Sequence, residues 1–244
     1  MNRIHFLPLL LLLAVACSSG KSDEHRETDG AHGSHGEAQP HGHHSDTEGH
    51  HGGANEYMHQ ASLEELIERF ESPERDAYQK PEQVLEYLGD LTGKRVMDIG
   101  AGSGYFSVRL AAAGAQVIAA DVDDDFQAYL KNRIEEQGIE NISLRKLPYD
   151  SPALQEGEVD MVLMVNTYHH IQNRSAYFAQ VKQSTADDGE LVVIDFFKSD
   201  TPVGPPKEHK VSMDQVIDEL KQAGYTSFAV EVNLLPYQFI IRAQ

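Results

Sequence analysis

The chain has 244 residues, long enough for one domain of ordinary size with extensions. Its 39 acidic against 20 basic side chains give a net charge of −19, which argues against a phosphate-backbone partner and so against nucleic-acid chemistry. A single cysteine, Cys17, excludes an intrachain disulfide and a cysteine-based zinc site.

In chain order, Met1-Asn2-Arg3 is a basic start, and Ile4 to Ala16 is apolar apart from His5. That run is too short to cross a bilayer as a helix but suits the apolar core of a signal peptide. Ala14-Val15-Ala16-Cys17 resembles a bacterial lipobox, although Ala14 stands where leucine is most often found. The resemblance implies a lipoprotein-type leader over 1–16, a lipid anchor on Cys17 and an address on the periplasmic side of a bacterial membrane. If the leader is not used, the address is cytoplasmic.

Residues 17–56 are rich in Gly, Ser, Asp, Glu and His, with almost no large apolar side chain. Such a segment cannot bury enough surface to offset its ordering entropy, which predicts a disordered tether. His25, His32, His35, His41, His43, His44, His50 and His51 fall in it. Two readings stand side by side: a solvated linker, or a tract of loose, weak sites for zinc, copper or nickel.

Order is expected from Tyr57. Ser62-Leu63-Glu64-Glu65 has the form of a capping box, and Leu63, Leu66, Ile67 and Phe70 mark one helical face. Pro73 and Pro81 suit first-turn positions, and Val84, Leu85 and Leu88 form an apolar stripe before Gly89. These helices make an N-terminal cap over 57–92. The stretch Arg95-Val96-Met97-Asp98-Ile99-Gly100-Ala101-Gly102-Ser103-Gly104 then reads as a strand followed by a glycine turn, and Ser107 to Ala113 as a helix. Strand, glycine turn and helix together are how α/β proteins bind nucleotides. The spacing Gly-x-Gly-x-Gly, with an acid two residues ahead, is not that of dinucleotide folds.

Alternation continues with strands at Gln116 to Val122, Ile142 to Leu147, Val159 to Val165 and Glu190 to Phe196. Helices carry Phe126, Leu130 and Ile134, then Tyr177, Phe178 and Val181, then Met213, Val216, Ile217 and Leu220. Ser227 to Val232 and Tyr237 to Ile241 can pair as a hairpin. Continuous apolar strands separated by helices predict an α/β fold with a parallel sheet covered on both faces.

The glycine spacing resembles the first motif of class I S-adenosylmethionine (AdoMet) methyltransferases, and the strand order with its final hairpin resembles their Rossmann-like, seven-stranded, mostly parallel sheet. The likeness covers Tyr57 to Gln244. It points to the type 11/25-like bacterial branch, on Met58-His59-Gln60, Phe70 to Arg75, Asn166 to Ile171 and Pro202 to Pro206.

The resemblance implies that Asp98 orients the glycine loop and reaches the amino-acid part of AdoMet. It implies that Gly100, Gly102 and Gly104 let the backbone approach, and that Asp121 accepts both ribose hydroxyls. The family's adenine-binding acid falls at Pro148 here, so Asp150 or backbone groups would serve. Strand four ends in Asn166-Thr167-Tyr168-His169-His170, which faces the methyl group in that fold. Asn166 is placed with the cofactor, and Tyr168, His169 and His170 are the catalytic candidates. A histidine is the usual base near neutral pH, whereas a metal-holding role would draw in His209. One of the pair could equally cap or pack against the next helix. Thr201 to Lys210 is expected to form a lid. The function expected is AdoMet-dependent methylation of a small molecule. The alternative is a binding or metal-handling lipoprotein that reuses the fold without methyl transfer.

Overall fold

A computed structural model describes residues 61–244. The leader, Cys17, the histidine-rich stretch and the signature residues 58–60 lie outside the described residues. Three short helices open the described chain: α1 (Leu63–Phe70), α2 (Pro73–Gln79) and α3 (Pro81–Leu88). Local chemistry sets each start. Ser62 and Glu65 form a reciprocal capping box, with the Ser62 N–H donating to Glu65 at 2.9 Å and the Glu65 N–H to Ser62 Oγ at 3.2 Å. Ser72 caps α2, and both α2 and α3 begin at proline, where a missing N–H costs nothing.

The sheet then builds up as β1 (Arg95–Ile99), α4 (Tyr105–Ala112), β2 (Gln116–Asp121), α5 (Asp124–Gln137), β3 (Ile142–Lys146) and β4 (Val159–Val165). A 3₁₀ turn at Tyr168–His170 leads to α6 (Arg174–Ser184) and β5 (Thr185–Phe196). A second 3₁₀ turn at Lys207–His209 precedes α7 (Met213–Gln222), β6 (Phe228–Glu231) and β7 (Gln238–Ala243). The seven strands lie in the order β3-β2-β1-β4-β5-β7-β6. The first five are parallel, and β7 is antiparallel to both β5 and β6. The fold class read from the sequence stands.

Strand alternation divides the core. Val96, Leu163, Val192 and Ile240 face one side, where Leu88, Leu110 and Leu130 cover them. Met97, Val162, Val193 and Ile241 face the other, under Phe178, Val181, Val216 and Leu220. One boundary differs from the sequence reading. β5 starts at Thr185, not Glu190, with Thr185 opposite Val159 and a bulge before Met161 meets Glu190. Thr185-Ala186-Asp187-Asp188-Gly189 has no apolar alternation to announce a strand, and Gly189 lies inside it.

Candidate active site

All five parallel strands end on one edge, and the order reverses direction between β1 and β4. Crevices in open α/β sheets form at such a reversal. A cavity of about 360 Å³ lies there, within the size range of small-molecule sites. Its floor is made by Gly100 and Gly102 after β1, Asp121 after β2, Leu147 and Pro148 after β3, and Asn166, Thr167, His169 and His170 after β4. Phe70, Arg75 and Tyr78 of the cap cover it from above.

The cap is fastened to the glycine loop. Ser103 donates to Glu71 at 2.5 Å, and Arg133 of α5 donates to Glu71 at 2.7 Å and to the Ser103 carbonyl at 2.8 Å. No sequence signal announces this knot, since its members lie far apart in the chain. Phe70 also stacks on Phe126, ring centroids 5.7 Å apart, beside the loop.

The glycines divide the labour unequally. Gly102 sits at φ +54°, a region that side chains with a Cβ enter at a cost, and its N–H donates to Asp121 Oδ2 at 2.8 Å. A Cβ on Gly100 would stand 2.3 Å from Thr167 Oγ1, so that glycine lets the β1 and β4 turns touch. Gly104 does not line the cavity; a Cβ there would meet Leu130 Cδ1 at 2.4 Å. Its place in the motif is explained by packing of α5 against the loop, not by ligand approach.

Asp121 is 8 % exposed, and its Oδ1 accepts the Asp123 N–H at 3.0 Å. With one backbone donor on each oxygen, each still has a lone pair for a ligand hydroxyl. Burial raises its pKa, against the pull of the Gly102 and Asp123 N–H groups.

Asp98 is enclosed behind the loop and accepts from Ser107 at 2.7 Å, so it holds the start of α4 and does not line the cavity. Burial pushes its pKa up to about 6, while the Ser107 hydrogen bond and the Arg75 charge draw it down. A raised acid pKa means that the charged form is disfavoured in the folded state. At 1.36 kcal/mol per unit, ionised Asp98 costs about 3 kcal/mol above pH 6, and nothing once pH falls below the unfolded value. Asp98→Asn keeps an acceptor for Ser107 without the charge. It should raise the ligand-free melting midpoint at pH 8 by several degrees, at about 2–4 °C per kcal/mol. Calorimetry should show the gain shrinking to nothing between pH 6 and pH 4. An equal gain at both ends of that window would refute this account of the buried charge.

At β4 the sequence expectations separate. Asn166, at φ +57°, lines the cavity, but its amide is engaged by Gln238 at 2.5 Å and Gln79 at 3.3 Å. Tyr168 is not part of the site: it is fully buried, donates to Glu219 at 2.7 Å, and stacks on Phe178. The 3₁₀ turn sends its ring into the core while its two neighbours reach the cavity. Asp150 does not line the cavity either; Leu147, Pro148 and Tyr149 form the wall there.

Of the three catalytic candidates, His169 lines the cavity with an acid partner behind it. Its Nδ1 lies 2.9 and 3.1 Å from the two oxygens of Asp195, with side-chain exposures of 3 % and 1 % for the pair. Asp195, which sequence reading passed over, ends β5 and also accepts the Phe196 N–H at 2.7 Å. The only sequence signal was a lone acid in the apolar run Leu191 to Phe197. With Nδ1–H donated to the carboxylate, Nε2 keeps its lone pair and is the nitrogen left to a ligand. His170 lies beside it, ring centroids 4.2 Å apart. Burial, with the neighbouring His169 adding to it, lowers the His170 pKa to about 3, so this imidazole stays neutral. His209, from the segment after β5, completes the wall. Among the described residues no three His, Cys, Asp or Glu side chains are grouped to hold a metal ion.

Residues 96–189 match the methyltransferase domain family. That span of the chain is thus similar to a methyltransferase domain. It is 27 % identical over 123 residues to an uncharacterized methyltransferase of Staphylococcus carnosus, covering 50 % of this chain and 56 % of that one. A Mycobacterium tuberculosis protein named as an S-adenosylmethionine-dependent methyltransferase is 26 % identical over 145 residues, 57 % of this chain and 51 % of that one. The chain thus spans about half the length of the curated relatives it matches. In three dimensions it resembles the SAM-dependent methyltransferase of Aquifex aeolicus, with a TM-score of 0.69 and 26 % identity over 75 % of this chain and 98 % of that one. The matched span includes Asp98, the glycine loop, Asp121, His169 and His170, whereas Asp195 and the cap lie outside it.

Proposed function

We propose that this protein is an AdoMet-dependent methyltransferase acting on a small molecule, with His169 as general base held by Asp195. The observation that carries the reading is one cavity with two different ends. Asp121 and the glycine loop lie at β2 and β1, and the His169–Asp195 pair lies at β4 and β5. Three strand spacings separate β2 from β5, or ~14 Å, which leaves room for a nucleoside at one end and a reacting centre at the other.

The residues fit AdoMet. Asp121 has acceptor capacity for ribose hydroxyls, Leu147 and Pro148 give an apolar wall for a purine, and Gly102 leaves space that a larger side chain would fill. Bound AdoMet supplies an electrophilic methyl group on a sulfonium. The chain's own part is to hold an acceptor in line with that group, which accounts for much of the rate in a displacement of this kind. His169 Nε2 then takes the acceptor's proton, and Asp195 stabilises the imidazolium that results. His170, neutral and enclosed, adds no competing charge.

Calorimetric titration of the full chain with AdoMet is the direct test. Micromolar binding to the wild type that is weakened by Asp121→Ala is the expected result; no binding would remove the reading.

The anchor and address belong to the same proposal: a lipid on Cys17, and a methyltransferase held on the periplasmic side by a histidine-rich tether that binds metal only weakly. The support is the run Ala14-Val15-Ala16-Cys17 after an apolar leader. Mass spectrometry of the mature N-terminus should find diacylated Cys17, and Cys17→Ser should abolish it. An unmodified N-terminus at Met1 would place the protein in the cytoplasm.

A further inference from the structure

Lys210 is 2 % exposed, at the end of the segment that follows β5. An ammonium group is rarely withdrawn from water this far unless it is paired. No ion pair joins Lys210 to a carboxylate among the described residues. Burial lowers its pKa, against the pull of the Asp200 and Asp195 charges. Its hydrogen bonds go instead to the chain as it leaves the sheet. Nζ donates to the Ser199 carbonyl at 2.8 Å and to Thr201 Oγ1 at 2.6 Å. The Thr201 hydroxyl in turn donates to the Val203 carbonyl at 2.6 Å. The ammonium also lies 5.4 Å from the Phe196 ring centroid.

These bonds close the base of a loop over 199–210, and the loop lies against a single aromatic ring. Gly204, at φ +88°, packs so tightly that a Cβ there would stand 2.6 Å from the Phe196 ring. The Tyr78 ring of the cap lies 6.1 Å from the same ring, centroid to centroid. Phe196, Gly204, Pro205 and His209 all line the cavity, and His209 immediately precedes Lys210. Phe196 follows Asp195, so this wall stands at the His169 end. We propose that Lys210 is a positioning residue for the methyl acceptor. By clasping residues 199–201 it holds the wall from Gly204 to His209 ready-formed, so the acceptor is selected by fit to a fixed surface and not by closure of a lid. Lysine suits the task because one nitrogen carries three donors and can tie two points of the chain at once. This inference rests on the methyltransferase reading above, but the clasp itself can be read without it.

Three variants of the full chain make the test. Lys210→Met keeps the apolar stem and removes the ammonium. Thr201→Val removes one of its acceptors and is the milder change, so it carries the test if Lys210→Met does not fold. Thr201→Ser keeps the hydroxyl and should behave as the wild type. Hydrogen exchange read by mass spectrometry should show amides 199–206 exchanging about tenfold faster in Lys210→Met, and faster in Thr201→Val, because local opening sets that rate. Exchange in β1, β2 and α5 should not change, and neither should AdoMet affinity by calorimetry. With an acceptor found by screening for S-adenosylhomocysteine formation, KM should rise about tenfold to a hundredfold in Lys210→Met, the range for lost hydrogen bonds from a charged group. The change in kcat should be much smaller. Unchanged exchange over 199–206 would overturn the clasp. Faster exchange with an unchanged acceptor KM would overturn the positioning role, as would a fall in kcat alone, which would tie Lys210 to Asp195 instead. Loss of AdoMet affinity in step with the rise in KM would show a general loosening and overturn it too. A wild type that binds no AdoMet would bring down the methyltransferase reading, and this inference with it, whatever the exchange rates show.

Discussion

His169→Ala lowers kcat by about 10²–10⁴-fold, the range for loss of a general base, while AdoMet affinity stays close to wild type. The two quantities part because His169 sits at the β4–β5 end of the cavity, away from Asp121 and the glycine loop. Asp195→Asn should bring a loss of similar size by another route. An amide that turns its NH₂ toward the ring favours the tautomer with the proton on Nε2, and the base is then blocked with its ring still in place. Because Asp195 also accepts the Phe196 N–H at 2.7 Å, the melting midpoint of this variant has to be measured beside the rate. The readout is S-adenosylhomocysteine formation with an acceptor found by screening small hydroxyl, amine and thiol compounds. Full activity in both variants would mean that positioning alone drives the reaction. Loss of AdoMet binding in step with kcat would give His169 a structural role instead.

Gly102→Val should abolish measurable AdoMet binding and leave the far-UV circular dichroism unchanged. Two effects add. A β-branched residue at φ +54° is strained by roughly 1–3 kcal/mol. Its Cβ also begins 3.4 Å from the Phe70 ring, so the methyl groups beyond it have only the cavity to occupy. Gly104→Ala makes the informative contrast. Its Cβ collides with Leu130 in the core, so it should lower the melting midpoint by more than Gly102→Val does. Its effect on AdoMet should follow from that loss of stability. If Gly102→Val binds AdoMet as the wild type does, the cofactor lies elsewhere.

The fold was readable because each layer of signal agreed with the next. The capping box at Ser62, the prolines at 73 and 81 and the apolar strands reappear at their expected places. What escaped was whatever depends on the direction a side chain takes after its strand ends. Asn166 to His170 is a uniform polar run on paper, but a 3₁₀ turn of three residues sends Tyr168 inward and the histidines outward. Gly104 carries the motif's spacing while serving a leucine on a helix that begins well beyond it. Asp150 follows β3 closely, yet the cavity wall there is completed by Leu147, Pro148 and Tyr149. Asp195 was invisible because a single acid in an apolar strand reads equally well as an edge or a flaw. Only the pairing of β4 with β5 brings it to His169.

The distribution of the site over the sheet sets an uneven tolerance for change. In the proposed reading the donor's cradle is made by the turns after β1 and β2, where the Gly102 N–H is bound to Asp121. The far wall comes from the cap and from the segment between β5 and α7, which supplies Gly204, Pro205 and His209 without being part of any strand. Substitutions in that segment can alter which molecule is accepted while the methyl source and the proton acceptor stay fixed. Divergence within one lineage should therefore appear as new acceptors on an unchanged donor site, and chimeras that exchange residues 198–209 are the natural way to move an acceptor preference from one protein to another.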